Sequence, residues 1–182
     1  VSILGKLFTD PAAARKIVGS VDKFQTKIWE VARIARSSGV KANVYRHLPE
    51  DVIYKWWDYS NRELYIRHGN SPEFGKGRMK NSEPLVNVIV TKADEVLASG
   101  HYAADLIFGH DCPLISLAGY FHLSGVGESV SFDEIPMKWN DPLNIPFAAN
   151  FQMIFYKSRK SPDVLVKFVY CDVERTIAEL DA

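Results

Sequence analysis

A chain of 182 residues can bury one sizeable core with room for a smaller subdomain. Its 22 basic residues balance 22 acidic ones, so no overall field draws it to nucleic acid or an anionic membrane, and any anion site must be local. An apolar share of 47% without a run long enough to span a bilayer excludes membrane insertion. The cysteine pair, Cys112 and Cys171, fits neither a disulfide framework nor a zinc cluster and leaves pairing open.

VSILGKLF lacks the charged start, long apolar centre and cleavage site of a signal peptide, and the expectation is a processed chain or an excised fragment. Asp10-Pro11 predicts a helix entry, continued by AAARKIV to Gly19. From Ser20, the spacing of Val21, Phe24, Ile28, Val31 and Ala35 predicts a second helix ending at Gly39. A third begins at Pro49, with Val52, Trp56, Tyr59 and Ile66 on one face and Gly69 as its stop, so Arg67-His68 falls in a last helical turn.

Residues 70 to 83 read as an extended polar loop. Pro84 opens a fourth helix, lined by Leu85, Val88, Ile89, Val96 and Leu97 and closed by Gly100. AADLIF, 103 to 108, predicts a short buried strand, and Pro113 opens an almost wholly apolar helix, PLISLAGYFHL. Gly125 to Pro146 is long and mostly irregular, with SVSFDEI as a short strand or turn. Phe151 to Tyr156 and Val164 to Tyr170 then predict an antiparallel hairpin with Val164, Val166, Phe168 and Tyr170 on one side. The division expected is a helical cap-like region, 1–81, followed by an α/β region, 82–182.

In open α/β sheets, ligands gather where a strand ends and the next helix presents free N–H groups. Gly109-His110-Asp111 is expected at such a place. Gly109 lets backbone approach a ligand, His110 can donate to an anion, and Asp111 can protonate a departing oxygen. The plainer alternative is that Asp111 and Cys112 cap the helix and His110 is a satisfied turn residue.

The segment LIFGHDCPLISLAGYFHL resembles the Gly-His-Asp region of the histidine acid phosphatases, the second branch of the histidine phosphatase superfamily, and is most similar to the bacterial multiple inositol-polyphosphate phosphatases. YIRHGNSPEFGKGRM, IPFAANFQMIFYK and VLVKFVYCDVE resemble further stretches of that group. The resemblance implies an α/β fold: part of a histidine-phosphatase-like, phosphoglycerate-mutase-like three-layer core plus cap helices. It implies hydrolysis of a small phosphomonoester, inositol polyphosphate or phytate-like, through a phosphohistidine and without a cofactor or metal. His110 would bind phosphate, Asp111 would be the proton donor, and Arg78 matches a basic residue near the family's glycine-rich turn. A periplasmic or secreted location follows from the same likeness. Ile107 stands where the family often carries arginine, leaving the pocket one cation short.

The nucleophile of that family lies in R-H-G-x-R-x-P. Starting at Arg67-His68-Gly69, the pattern requires arginine at Ser71 and proline at Glu73, so His68 reads as a helix terminus dispensable for chemistry. The chain is therefore expected to be the C-terminal half of such an enzyme, carrying the acid without the nucleophile. Half a core favours self-association. The alternative is a non-catalytic α/β binding or interaction module. Lys76, Arg78 and Lys80 lack Walker spacing and read foremost as a solvated basic loop. Arg46-His47, His101 and His122 read as polar groups near helix ends, and no metal-ligand spacing emerges.

Overall fold

The computed structural model describes residues 3–35, 37–41, 43–101 and 104–177. It is a mixed α and β structure that divides into two compact units, Val1–Tyr59 and Ser60–Ala182. The division falls inside one helix, α4. Residues 60–81, expected with the N-terminal helical region, pack instead in the C-terminal unit, because Tyr65 belongs to that unit's core.

The first unit contains α1 (Ile3–Leu7), α2 (Pro11–Val18), α3 (Val21–Ala35), a 3-10 turn (Val44–His47) and the first half of α4 (Glu50–His68). Asp10 caps α2 as anticipated, its Oδ1 accepting from Ala12 N at 3.1 Å and Ala13 N at 2.9 Å. These are donors that the first turn cannot satisfy itself. Asp10→Ala should lower stability by about 1 kcal/mol, seen as a lower thermal midpoint followed by helical circular dichroism. Ile3, Leu4 and Leu48 form the core with Phe24, Ile28, Val52 and Trp56 against them. The Trp29 ring meets Trp56 edge-on at 6.4 Å. Two sequence-assigned core positions are surface residues: Val31 is 53% and Tyr59 71% exposed. The buried side of α3 centres on Ile28, Ala32 and Ala35, which leaves Val31 on its rim.

The second unit follows α4 with α5 (Lys76–Met79), a 3-10 turn (Lys80–Ser82), α6 (Glu83–Ser99), α7 (Asp111–Tyr120), a 3-10 turn (Phe132–Glu134), α8 (Ile135–Lys138) and α9 (Asp141–Asn144). Thus the loop expected over 70–83 contains a helical turn. Gly100 ends α6 in the left-handed conformation, as its position suggested. β1 (Phe151–Lys157) and β2 (Val164–Tyr170) pair antiparallel, Phe151 opposite Tyr170 and Phe155 opposite Val166. The hairpin expectation is met. A third strand, β3 (Val173–Arg175), was not anticipated; it follows a two-residue turn at Cys171-Asp172, both with positive φ, the geometry that matches strand twist.

The core of this unit gathers Tyr65, Ile115, Ala118, Leu123, Val126, Val130, Ile135, Trp139, Ile145 and Tyr170. Two α4 side chains fix the long irregular stretch to it. Tyr65 Oη donates to Glu128 O at 2.8 Å and accepts from Val130 N at 2.9 Å. Asn61, also buried, donates to Trp139 O at 3.0 Å and accepts from Asp141 N at 2.8 Å. Backbone groups that no ladder pairs are thereby satisfied by side chains.

One expected element is corrected. Residues 104–110 form neither helix nor strand, and Ala103, where the strand was to begin, lies outside the described residues. Leu106, Ile107 and Phe108 are 75%, 55% and 91% exposed. A strand exists only where a neighbour takes its N–H and C=O groups, and the described sheet has the order β1-β2-β3 with no place filled by this segment. Its Asp105 pairs instead with Lys92 of α6.

Candidate functional site

The site is organised by α7. The sequence DCPLISLAGY is apolar nearly all round, and Ile115, Leu117, Ala118 and Gly119 are buried. The helix starts at Asp111, two positions before the proline expected to open it, with His110 as the extended residue ahead of it. The Asp111 carboxylate accepts from Cys112 N at 2.9 Å. A negative charge on the first turn is where the helix dipole favours it, so the plainer capping role is part of what Asp111 does.

Cys112, Ser116 and Gly119 stand at intervals of four and three and share one side of α7. Ser116 Oγ donates to His68 O at 3.0 Å, which ties the end of α4 to this side. A Cβ on Gly119 would lie 2.6 Å from Met79 Sδ and 3.2 Å from Asn70 Cβ, so the glycine is what lets both approach. The end of α4 and the end of α5 are therefore docked on the same flank of α7. Arg78 is next to Met79, and His68 is two before Asn70.

His68 links these groups electrostatically. Burial lowers the proton affinity of His68; Asp111 opposes that shift, and Arg67 and Arg78 reinforce it. Burial raises the Cys112 thiol, with Asp111 adding to the effect. Tyr170, at the end of β2, is raised chiefly by burial and also senses Asp111. Arg67 is paired with Glu63 at 2.6 Å. Arg78 Nη1 is buried and has no hydrogen-bond acceptor.

Of the residues nominated from sequence, Asp111 and Arg78 are brought into one neighbourhood through His68. Gly109 and His110 precede them and are exposed; nothing lies within 4 Å of a Cβ built on Gly109, and His110 makes no capping bond through its side chain. His68 and Arg67 are the residues that sequence reasoning set aside. The signal that could have found them is the small pair Ser116 and Gly119 on an otherwise bulky helix, which marks a close approach by another segment. Among the described residues, no group of three His, Cys, Asp or Glu is placed to hold a metal ion, and no helix is long and apolar enough to cross a membrane.

No protein-family model matches the chain, and comparison with curated proteins gives no match.

Proposed function

We propose that this chain supplies the proton-donating half of a phosphomonoester hydrolase of the histidine acid phosphatase kind, acting on a small polyphosphorylated substrate such as an inositol polyphosphate. The observation that carries the reading is that the end of α4 is tied to α7, the helix whose first turn carries Asp111, and that His68 there senses both the Asp111 carboxylate and the Arg78 guanidinium, one nitrogen of which is buried without a hydrogen-bond partner. A carboxylic acid there can protonate the leaving oxygen, and an unsatisfied cation nearby is a natural partner for phosphate oxygens. His110 would touch the transferred phosphoryl group from the position just before the helix. A histidine in R-H-G-x-R-x-P would attack phosphorus, giving a phosphohistidine and releasing the alcohol; Asp111 would then take a proton from the water that hydrolyses it. That motif is not in these 182 residues.

In the three-layer core this reading implies, the portion bearing the nucleophile would cover the exposed run Leu106-Ile107-Phe108 and the edge of β1 away from β2. The irregular state of 104–110 favours the competing reading, a non-catalytic binding or interaction module. The two separate cleanly. The hydrolase reading expects residues 1–182 alone to turn over neither phytate nor a chromogenic phosphomonoester, and expects the coding sequence ahead of Val1 to contain R-H-G-x-R-x-P. His68-dependent turnover by the purified chain, or an upstream sequence without that motif, would defeat it.

A further inference from the structure

The β1–β2 hairpin ends in an arm that the fold does not account for. Residues 156–160 and 162–166 are exposed, whereas the other ends of the same strands join the second unit's core through Phe151, Phe168 and Tyr170. β3 pairs with β2 only at Phe168, Val169 and Tyr170, so beyond that point the hairpin is two strands wide. Val164, Leu165 and Val166 are consecutive and exposed, and because strand side chains alternate they leave both faces of the arm apolar. Leu165 is 68% exposed, and Tyr156, directly opposite it, 49%. Three successive apolar side chains in water serve no packing purpose and mark a contact surface.

The connecting segment KSRKSPD carries three cations and one carboxylate, a local excess in a chain of zero net charge. Asp163 is engaged by Ser161, whose Oγ donates to it at 2.8 Å. Lys157 Nζ donates to Leu97 O at 2.9 Å, near the C-terminal end of α6, which fixes the base of the arm. Lys167, on the face that carries Tyr156 and Leu165, is paired with Glu174 at 2.9 Å. Arg159 and Lys160 have no carboxylate partner among the described residues. Unpaired positive charge therefore sits at the tip, with apolar side chains immediately behind it.

We propose that this arm docks on an anionic phospholipid surface, with Arg159 and Lys160 on lipid phosphates and Tyr156 and Leu165 at the level of the headgroups. The charge calls for an anion, and a second copy of the arm would bring like charges together, which disfavours self-pairing. Shape selects among anionic surfaces. A narrow projection that is apolar on both faces is covered fully only by a medium that closes round it, as a headgroup layer does; the face of a folded acidic protein covers one side and leaves the other in water. Tyrosine, with an apolar ring and a polar tip, and the long-stemmed cations suit that boundary. The contact is peripheral, since no helix among the described residues is long and apolar enough to cross a membrane. None of these residues belongs to the α7 site, so the arm stands or falls apart from the hydrolase reading.

The test is flotation of residues 1–182 with vesicles of phosphatidylcholine alone and of phosphatidylcholine mixed with phosphatidylglycerol, at low and high salt. Binding to the mixed vesicles that weakens with salt, and none to the neutral ones, is expected. Arg159→Ser combined with Lys160→Ser should weaken binding about tenfold or more, since each basic residue at an anionic surface contributes about fivefold. Leu165→Ser should weaken it about fivefold, through loss of the apolar group at the headgroup boundary. All three positions are exposed, so circular dichroism should show both variants folded as the wild type is. Equal binding to both kinds of vesicle, binding to neither, or full binding by either variant overturns the assignment. So does tighter binding to poly-glutamate than to the mixed vesicles, which would make the partner an acidic protein. A dimer that Leu165→Ser disperses, without any vesicle binding, would make it a second copy and overturn the lipid assignment equally.

Discussion

In an enzyme completed by an R-H-G-x-R-x-P segment, Asp111→Asn is expected to lower kcat by about 10²- to 10⁴-fold on an alkyl phosphate, the usual loss when a positioned general acid is removed. Asparagine keeps the shape of the side chain and an oxygen able to accept from Cys112 N, so α7 should start where it does now. What it loses is the transferable proton. The deficit should therefore depend on the leaving group: severe for an alcohol, small for nitrophenol, which departs as an anion without help. Comparison of kcat on phytate and on p-nitrophenyl phosphate checks this. If Asp111 only caps the helix, the variant will slow both substrates equally or neither, with a change confined to thermal stability.

Tyr65→Ala should produce the largest loss of stability, about 3–5 kcal/mol, because a buried aromatic is removed from the centre of the second unit's core. Tyr65 is 1% exposed, its ring stands 5.1 Å from Trp139, and its hydroxyl bridges Glu128 O and Val130 N. Tyr65→Phe isolates the hydroxyl and should lose about 1–3 kcal/mol, since Glu128 O and Val130 N are left without that partner. Urea unfolding of both variants separates ring from hydroxyl. The wild-type chain should show the same dependence on pH. Burial pushes the Tyr65 phenol up to about 12 from about 10, so the unfolded chain ionises first. The contribution is complete below about 10 and disappears as pH rises towards about 12. Tyr65→Phe should flatten that part of the curve.

Helices α2, α3 and α4, the β1–β2 hairpin and the left-handed stop at Gly100 were legible because each follows from local chemistry, whereas α1 was not foreseen. Asp10 offers its carboxylate to the next two free amides, Phe24 and Ile28 recur at helical spacing, and alternating residues set the face of β2 that ends in Tyr170. The strand over 103–108 was misread for an equally physical reason. AADLIF has the apolar content of a buried strand, but a strand is a property of a pair, and none of the described strands pairs with residues 104–108.

The same distinction runs through the candidate site. The residue types at Gly109, His110 and Asp111, and the absence of R-H-G-x-R-x-P, are settled by the order of amino acids and need no fold to be seen. That His68 senses both Asp111 and Arg78, and that one Arg78 nitrogen is buried without a hydrogen-bond partner, was decided by packing alone. Helical periodicity tells which side of α7 a residue occupies, but it cannot tell which distant segment will lie there. Ser116 and Gly119 leave room on that side, and it is the docking of two chain segments into that room that turned a helix end into a cluster of charge.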